Sequence, residues 1–319
     1  MTPRSPSCRT GGSSSCFGNR SPRGPRRRAP TTRVDLHCHS TASDGELPPA
    51  DLVRRAAEAG LAAIALTDHD TTDGVAEATR AGGGLGVRVV SGCEFSVKAP
   101  WGELHVLGYF LPPGQPELEA FLTTTRAARR RRAEQMVGQL QRLGLDIALE
   151  DVVSEAGDGA VGRPHVARVL VDRGLSADIT DAFARYLGRG RPGYVDKPLP
   201  ALSQVTELVH RAGGIAVAAH LGDHGTEARI REFLEQGLDG VEVRHPSHSP
   251  VVEQRLTKIA ERLGLAISGG SDWHGDAELG QEHAPLGGLD VPIAWLERLE
   301  QRRDRTTRTG VPENPLDIS

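Results

Sequence analysis

Polar residues that can bind metal ions or phosphate recur in this chain just past the end of short apolar runs. The runs end at Leu36, Leu66, Val90, Ala219, Val243 and Ser268. The polar residues that follow them are, in the same order, His37, His39 and Asp44; Asp68 and His69; Glu94; His220; His245; and Asp272 and His274. The carboxyl ends of parallel strands meet at one end of a β/α barrel. The regular position of these polar residues after apolar runs therefore predicts an active site at that end. Clustered histidines and carboxylates point to a metal-dependent enzyme.

The segments between these residues alternate between strand and helix patterns. Apolar strands are predicted at 33–36, 61–66 and 87–90, with helices at 49–59 and 72–81 between them. His105 lies inside a further strand-like stretch, 103–110, and the glycine-rich stretch 82–86 is predicted to be a turn. Buried strands that alternate with helices are typical of a parallel sheet covered by helices, which is an α/β fold.

The alternation stops near residue 113 and resumes from about Ser203. The interval contains a long helical stretch, 117–143, and two shorter helical segments near 164–173 and 177–187. These patterns predict the domain organisation: an inserted helical domain of residues 113–199 across the mouth of a barrel formed by residues 34–112 and 200–295, with a flexible tail at 300–319.

Charge is unevenly distributed along the chain. Residues 1–33 contain eight arginines and no acidic residue, whereas the rest of the chain carries 30 basic against 42 acidic groups. A basic segment can serve as a nucleic-acid-binding arm, but Phe17 is its one aromatic residue, so we favour a disordered extension. The acidic remainder would repel a phosphate substrate unless bound cations reverse the local field.

Composition excludes several classes of protein. Four cysteines in 319 residues do not make the disulfide framework of a small secreted domain, and their spacing is not that of a zinc knuckle. The longest apolar stretches fall short of the roughly 20 residues that a membrane span needs. The first 30 residues lack the apolar segment of a secretory signal. We therefore expect a cytoplasmic protein with no membrane association.

Each candidate motif has an ordinary structural explanation when it is taken alone. His37 and His39 face one side of an extended segment and can clamp an ion, but a pair of surface histidines has the same pattern. Asp44 can be a turn former, Asp68 a helix cap and His220 a hydrogen-bonded core histidine. Six histidines and three carboxylates at one barrel end are nevertheless too many ligands for one zinc ion and enough for two or three ions.

The ordered motifs resemble those of one family. They are Asp35-Leu-His-Cys-His-Ser-Thr-Ala-Ser-Asp-Gly45, Leu66-Thr-Asp-His-Asp-Thr71, Gly92-Cys-Glu94, Glu103-Leu-His105 and Ser271-Asp-Trp-His274. This series is similar to the signatures of the PHP (polymerase and histidinol phosphatase) superfamily and covers about residues 34–290. Two further motifs, Gly162-Arg-Pro-His165 and Glu242-Val-Arg-His-Pro-Ser-His248, resemble the free-standing branch that cleaves nucleotide phosphomonoesters and trims short RNA from its 5′ end.

The resemblance implies a fold and a metal site. Related PHP enzymes fold as a distorted (β/α)7 barrel similar to a TIM barrel, and the insertion predicted above would be a small helical domain on it. Their site is a trinuclear centre of manganese, iron or zinc. The metal ligands carried over to this chain are His37, His39, Asp44, His69, Glu94, His105, His220, Asp272 and His274. We therefore expect two or three divalent ions, with Mn²⁺ preferred to Fe²⁺ or Zn²⁺. The arginine-rich start is not required by the family.

A phosphoesterase mechanism follows as a hypothesis from this metal site. A hydroxide that bridges two ions would attack phosphorus in line, and the ions would neutralise charge on the phosphoryl oxygens. Glu94, with two oxygens, is expected to bridge two metals. His245 is the candidate proton donor to the leaving group, and a hydrogen bond that supports a ligand is the alternative role.

Substrate specificity is predicted to come from the insertion. Arg129 and Arg132 lie three residues apart on one helical face and can fork onto a second phosphate. Arg163 and His165 lie at the start of a helix next to a proline, which is a position that suits phosphate. Both pairs are therefore predicted to bind substrate.

The predicted substrates are 3′,5′-bisphosphonucleotides, nucleoside monophosphates or short 5′-phosphorylated RNA. A histidinol-phosphate-type phosphatase is the alternative enzyme, although the arginines of the insertion favour a polyanion. The alternative from another class is a non-catalytic PHP module that regulates a polymerase, which the full ligand set argues against. No obligate protein partner is implied.

Overall fold

The computed structural model describes residues 32–157, 159–276 and 283–309. Its strands are β1 (Arg33–Cys38), β2 (Ala63–Leu66), β3 (Arg88–Ala99), β4 (Gly102–Tyr109), β5 (Ile215–Ala218), β6 (Gly240–Arg244), β7 (Ala266–Gly269) and β8 (Val291–Pro292). Its helices are α1 (Pro49–Glu58), α2 (Val75–Leu85), α3 (Pro116–Arg142), α4 (Leu149–Ala156), α5 (Arg163–Asp172), α6 (Ile179–Ala182), α7 (Leu202–Arg211), α8 (Glu227–Glu235), α9 (Pro250–Leu263) and α10 (Ile293–Thr309). Arg33, the last residue of the predicted basic extension, already belongs to β1, and residues 1–31 lie outside the described residues.

Strands β1 to β7 form a nearly closed barrel in which each strand lies beside its neighbour in sequence. β1, β2 and β3 run parallel, and so do β5, β6 and β7. The barrel closes because the chain just after β7 pairs with β1. The amide of Asp272 donates to His37 O at 2.9 Å, and the amide of His39 donates to Trp273 O at 3.0 Å. β8 adds antiparallel to the start of β1. The predicted α/β barrel is confirmed.

Strand β4 differs from the predicted parallel arrangement. It runs antiparallel to both β3 and β5, because only Pro100 and Trp101 separate it from β3 and two residues cannot form the crossover that parallel strands need. In this register His105 pairs with Ser96, which lies beyond Glu94 in β3. His105 therefore lies at the same end of the barrel as the residues that follow the parallel strands.

Apolar packing inside and outside the barrel holds the strands in place. Inside, side chains of β1, β2, β4 and β5 surround the fully buried Tyr109. The Tyr109 hydroxyl donates to Leu36 O at 2.7 Å and lies 2.7 Å from Ser268 Oγ on the far side. Outside, α7, α8 and α9 each bury one apolar stripe against β5, β6 and β7. This burial removes apolar surface from water and fixes the strand ends that carry the candidate ligands.

Helices α3 to α6, with a π-helical turn at Phe183–Leu187, follow β4 as an insertion. They share an apolar cluster of their own, to which Met136 belongs. The 27-residue helix α3 contributes to two cores, since Leu118 and Leu122 near its start pack in the barrel cluster. One continuous helix therefore ties the insertion to the barrel.

Helix α10 corrects the predicted start of the flexible tail. The helix continues to Thr309, past residue 300, because Leu296 and Leu299 are buried against the barrel and Arg302 bonds to Asp239. Residues 310–319 of the predicted tail lie outside the described residues. Across the described ranges, no helix has both the length and the apolar character to cross a membrane.

The glycine-rich stretch predicted as a turn is instead the end of a helix. α2 continues through Gly82 and Gly83 to Leu85 and stops at Gly86, which adopts a left-handed φ of 71°. Glycine at this position is a common helix terminator, because a residue without Cβ adopts positive φ at low cost. The turn therefore starts four residues later than predicted.

Replacement of Gly270 by alanine is expected to disrupt the closure of the barrel. An added methyl group would collide with the backbone nitrogen and Cβ of His37, and neither can move without a shift of β1. We expect Gly270→Ala to lower the midpoint of urea unfolding measured by circular dichroism.

Gly83→Ala is the matched control for this substitution. Its methyl group would lie in open space on α2, so the change should stabilise the fold by about 0.5–1 kcal/mol. A Gly270→Ala protein as stable as the wild type would contradict the close approach of β1 to the chain after β7.

Candidate metal centre

Glu94 lies at the centre of the candidate ligands in the mouth of the barrel. Its side chain is 1% exposed, and its two carboxylate oxygens face five imidazoles at distances from 2.8 to 3.3 Å. The imidazoles belong to His37, His39, His69, His105 and His220. They come from β1 and the residue directly after it, from β4, and from the chain segments after β2 and β5. The fold therefore brings four separate segments to one carboxylate in β3.

Asp272 provides a second carboxylate that faces the same histidines. Its Oδ1 is 3.1 Å from His37 Nε2 and 3.2 Å from His39 Nε2. These two nitrogens also face Glu94, so each imidazole lies between two carboxylates. Such a pattern suits cations that are shared between ligands.

Asp44 extends the group on its other side. Its Oδ1 is 3.4 Å from His274 Nε2, and its Oδ2 is 4.0 Å from His69 Nε2. His39, Asp44, His69 and His274 together form one group whose potential ligand atoms lie within 4.8 Å of one another. The structure thus brings all nine predicted ligands into one connected cluster.

Several polar atoms of this cluster are buried without a hydrogen bond. Within the described part of the chain, five belong to predicted ligands: His37 Nε2, His39 Nε2, Asp44 Oδ1, His69 Nδ1 and Asp272 Oδ1. Buried polar atoms almost always have a partner, because an unsatisfied one costs about 1–3 kcal/mol. These nitrogen and oxygen atoms point toward one another but form no hydrogen bonds. Such an arrangement suits bound divalent cations, for which imidazole and carboxylate are common ligands. The residues present therefore fit a cluster of bound metal ions.

The backbone is strained where two of these ligands follow their strands. His220 and Asp272 have φ angles of 31° and 49°, and Asp70, next to His69, has a φ angle of 51°. Positive φ is uncommon for residues other than glycine and costs of order 1–3 kcal/mol. Strain at the ends of β2, β5 and β7 persists only because the surrounding structure holds it, as is typical of functional sites.

Opposite charges reinforce the cluster. Burial disfavours the ionised form of Glu94, but the neighbouring imidazoles, His69 and His105 foremost, hold the pKa of its carboxyl well below the usual range. Burial also disfavours a charged His39, yet the adjacent carboxylates of Asp272 and Glu94 raise the pKa of that imidazole to about 10. The carboxylates therefore create a field that holds positive charge, whether as protons or as metal cations.

Glu242 is a buried carboxylate that the sequence prediction missed. Its Oε1 lies 3.0 Å from His37 Nδ1, and its Oε2 accepts from the amide of His220 at 2.9 Å. It fixes the His37 ring so that the other ring nitrogen faces the ligand cluster. A signal was present in the sequence, because a glutamate between two valines of a buried strand needs a partner.

Asp68, which shares a strand end with His69, supports a different ligand from the one beside it. It accepts hydrogen bonds from the amide and hydroxyl of Ser40 and from the hydroxyl of Ser43, each at 2.7 Å. These serines belong to the turn that carries Asp44. Asp68 therefore fixes the position of Asp44 through the backbone.

His165, which was predicted to bind substrate, has both of its ring nitrogens engaged with the backbone. Nδ1 accepts from the amide of Gly162 at 2.9 Å, which leaves the proton on Nε2. Nε2 then donates to Ser43 O at 3.2 Å. His165 therefore links the start of α5 to the turn of Asp44.

Of the predicted arginines, Arg129 contacts the surroundings of the ligand cluster, whereas Arg132 and Arg163 pack within the insertion. Arg129 is buried, and its Nε donates to Asp70 at 2.6 Å. Arg132 donates to a backbone carbonyl, and its guanidinium lies over the ring of Tyr194, as does that of Arg163. Burial and the nearby Arg163 lower the pKa of Arg132 to about 10. Among the described residues neither Arg132 nor Arg163 forms an ion pair, so this arginine pair carries excess positive charge.

Lys197 is a second residue that the sequence prediction missed. Its ammonium group donates to Ser96 Oγ at 2.5 Å and to Glu103 at 3.2 Å, and it lies 3.8 Å from Asp70 Oδ2. Burial lowers its pKa to about 8. Glu103 also lies 3.4 Å from His105 Nε2, so Lys197 connects the end of the insertion to a candidate ligand. A single lysine outside any periodic segment gave no signal in the sequence.

Two further histidines flank Asp272. His245, the predicted proton donor, is 3% exposed and its Nε2 is 3.4 Å from Asp272 Oδ2. The amide of Ser247 donates to His245 Nδ1 at 3.2 Å, so the proton of a neutral ring is on Nε2 and faces the cluster. His283, which the sequence prediction missed, lies 3.6 Å from the same oxygen, and its ring centroid is 4.5 Å from that of His274.

A cleft of about 590 Å³ opens beside the ligand cluster, between the insertion and the loop after β1. Glu46, His165, Arg168 and His274 are among its lining residues. Arg168 donates to Asp44 O at 2.7 Å, which is a further tie between the insertion and the ligand turn. The cleft gives solvent a path to the His274 side of the cluster.

Residues 35–186 match the sequence model of the PHP domain. The chain is 38% identical over 257 residues to a 3′,5′-nucleoside bisphosphate phosphatase of Chromobacterium violaceum, with 78% of this chain and 90% of the relative covered. The chain belongs to the PHP family. It is also similar to a 5′-3′ exoribonuclease of Escherichia coli, at 36% identity over 285 residues that cover 86% of this chain and 96% of the relative.

A solved structure agrees with this PHP assignment. A predicted metal-dependent phosphoesterase of Bifidobacterium adolescentis aligns with a TM-score of 0.78 and 34% identity, over 85% of this chain and 96% of that one. The likeness therefore extends over both the barrel and the insertion. The family resemblance of the ordered motifs is confirmed.

In this PHP chain, Glu242→Gln is expected to weaken metal binding although Glu242 is not among the proposed ligands. The carboxylate accepts from His37 Nδ1 with one oxygen and from the His220 amide with the other, whereas glutamine has only one accepting oxygen. One of these two ligand residues therefore loses the partner that orients it. We expect metal affinity, measured by titration of the metal-free protein, to fall by about 10- to 100-fold.

The control for this substitution is Glu235→Gln, at the exposed end of α8. It should leave metal affinity and the thermal unfolding temperature unchanged. Equal metal affinities of Glu242→Gln and the wild type would show that Glu242 does not orient a ligand.

Proposed function

We propose that this PHP chain is a metal-dependent phosphoesterase that hydrolyses phosphate esters of nucleotides or of short 5′-phosphorylated RNA. One observation carries the proposal: a buried carboxylate, Glu94, faces five imidazoles whose nitrogens include three without a hydrogen bond. The names of the relatives support the class of substrate, since one is a nucleoside bisphosphate phosphatase and another an exoribonuclease. The protein is proposed to act in the cytoplasm.

The proposed metal ligands are the nine residues of the cluster: His37, His39, Asp44, His69, Glu94, His105, His220, Asp272 and His274. Two or three divalent ions are proposed, with Mn²⁺ preferred and Fe²⁺ or Zn²⁺ as alternatives. Bound there, such ions activate water as a nucleophile and stabilise negative charge on a phosphoryl group. An anionic substrate then meets a locally positive pocket on an otherwise acidic protein.

The chain's own residues position the proposed reaction. Glu94 contacts two sides of the cluster. Its Oε1 faces His105 and His220, and its Oε2 faces His37, His39 and His69. His245 is proposed to hold a proton on Nε2 at the edge of the cluster, within reach of a leaving oxygen. Burial of the ligands keeps competing water away and strengthens their electrostatic effect.

The arginine pair, Arg132 and Arg163, is proposed to bind a second phosphate of the substrate. Two neighbouring guanidinium groups without an ion-pair partner among the described residues repel one another, and a phosphate would offset that repulsion. Arg163 follows Gly162, where an added Cβ would lie 3.7 Å from Arg129 Nη1 and 3.8 Å from Asp44 Oδ2, so the chain that carries Arg163 passes beside the cluster. Arg129 itself is neutralised in part by Asp70, so its proposed role is to shape this site.

Removal of metal is expected to abolish phosphate release, and addition of Mn²⁺ is expected to restore it. The measurement is the rate of inorganic phosphate release from a 3′,5′-bisphosphonucleotide by protein treated with a chelator and then titrated with Mn²⁺. Asp272→Asn and His39→Ala should each remove most of the activity, because both side chains face two or more other ligands. Full activity of the metal-free protein would sink the proposal.

Arg163→Met is expected to raise KM for a 3′,5′-bisphosphonucleotide by about 10- to 100-fold. This change corresponds to the loss of one or more charge-assisted hydrogen bonds to the second phosphate. KM for a nucleoside monophosphate, which lacks a second phosphate, should change little. Arg131→Met, on the exposed face of α3, is the matched control and should leave both values unchanged. A similar rise of KM for both substrates would show that Arg163 acts on the fold and not on a second phosphate.

The substrate class itself is tested by a panel of three compounds. Phosphate release from 3′,5′-bisphosphonucleotides, histidinol phosphate and short 5′-phosphorylated RNA separates the nucleotide, histidinol phosphate and RNA activities. We expect the nucleotide and RNA compounds to be cleaved and histidinol phosphate to be a poor substrate, because it carries no second phosphate for the arginine pair. Efficient cleavage of histidinol phosphate alone would replace the proposed substrate class.

A further inference from the structure

A face-to-face stack of two rings lies on the rim of the barrel mouth, outside the ligand cluster. The ring centroids of Trp101 and His224 are 4.2 Å apart, and the ring planes are within 3° of parallel. Trp101 is in the two-residue turn between β3 and β4, and His224 ends the 3-10 turn Gly222–His224 after β5. Two loops that are distant in sequence therefore meet at the β4–β5 side of the mouth.

Both rings are near proposed metal ligands along the chain. Trp101 precedes His105 by four residues, and His224 follows His220 by four residues. Four residues of extended chain span at most roughly 14 Å. A nucleic-acid strand of a few nucleotides with one phosphate in the ligand cluster can therefore reach the stack.

One face of the stack is open. Trp101 packs against the barrel cluster, with the ring of Phe233 at 6.1 Å, and is covered from outside by His224. His224 is exposed, and Trp101 is the only ring in contact with it in the part of the chain that the structure describes. A planar ring from another molecule can extend the stack, because aromatic faces bury apolar surface without losing a hydrogen bond.

Positive groups surround these rings. The guanidinium of Arg229 lies 5.2 Å from the Trp101 ring centroid, and its Nη1 is 3.3 Å from His224 Nδ1. Arg189 of the insertion donates to Trp101 O at 2.8 Å, and Lys98 is exposed in the same hairpin. Acidic groups outnumber basic ones in the chain after residue 33, so the positive charge around these two rings is opposite in sign to the net charge of that part of the chain. Aromatic rings with adjacent cations are what single-stranded nucleic acids bind.

We infer that Trp101 and His224 form a stacking site for a base of single-stranded RNA that lies beyond the cleaved phosphate. The inference rests on the proposed function and specifies how a substrate longer than one nucleotide binds. The arginine pair, which packs on Tyr194 of the insertion, would take a terminal phosphate, and the ligand cluster would take the cleaved phosphate. A base farther along the strand then stacks on the open face of His224, and Arg229 contacts the adjoining phosphate. Stacking on a ring face accepts any base.

The experiment compares a 5′-phosphorylated tetraribonucleotide with a 3′,5′-bisphosphonucleotide, which has only one base. His224→Ala is expected to raise KM for the tetraribonucleotide by about tenfold, within the range that stacking of one base contributes. KM for the bisphosphonucleotide should stay the same, because its single base does not reach the rim. His224→Phe keeps a ring and should restore the tetraribonucleotide KM.

Arg229→Ala and Arg231→Ala form a matched pair on helix α8. Arg229 lies over Trp101, whereas Arg231 pairs with Glu227, so only the first substitution should raise KM for the tetraribonucleotide. Equal effects of His224→Ala on both substrates, no effect on the tetraribonucleotide, or failure of His224→Phe to restore KM would each overturn the stacking site.

Failure of the proposed function gives a different result, namely no phosphate release from any compound by the wild-type protein. In that case, a binding measurement tests the stacking site independently of activity. Fluorescence anisotropy of a labelled 5′-phosphorylated tetraribonucleotide should show about tenfold weaker binding to His224→Ala than to the wild type. Equal affinities, or no binding to either protein, would overturn the inference.

Discussion

The buried carboxylate of Glu94 is the group on which the architecture of the barrel mouth depends. An isolated ionised carboxylate in a protein interior is costly, and the cost is removed only by partners that donate or carry positive charge. Five imidazoles supply those partners from four chain segments. The register of the whole barrel must therefore be correct before any one of them reaches Glu94.

A ring of supporting contacts holds the candidate ligands in position. Glu242 orients His37, Asp68 fixes the turn of Asp44, and Lys197 connects to His105 through Glu103. Positive φ angles after β5 and β7 store backbone strain that this surrounding structure sustains. Such contacts preorganise the site, because each ligand is held by a neighbour that is itself buried and bonded.

The regular occurrence of polar residues just after apolar runs was enough to predict the barrel and the position of its mouth. It predicted the strand that contains His105 but not its antiparallel direction. Only the pairing of His105 with Ser96 explains why a residue near the beginning of this strand joins the others. It missed Glu242 and Lys197, because one lies inside a strand and the other outside any periodic segment. The helical extent of α2 was also missed, since Gly83 and Gly84 resemble a turn until tertiary packing is known. His165 was placed near the site, but a helix-start motif could not show that both of its ring nitrogens bond to the backbone.

The continuous helix α3 has a consequence for the choice of substrate. A helix of 27 residues is a stiff rod of about 40 Å, and it is anchored in the barrel at one end and in the insertion at the other. Arg129 and Arg132 are carried on this rod, so their distance from the barrel strands is set by helix geometry and not by loop motion. Under the proposed function, this fixed distance would set the separation of the two phosphates that a substrate must carry, and compounds whose charges are closer together or farther apart would bind less well.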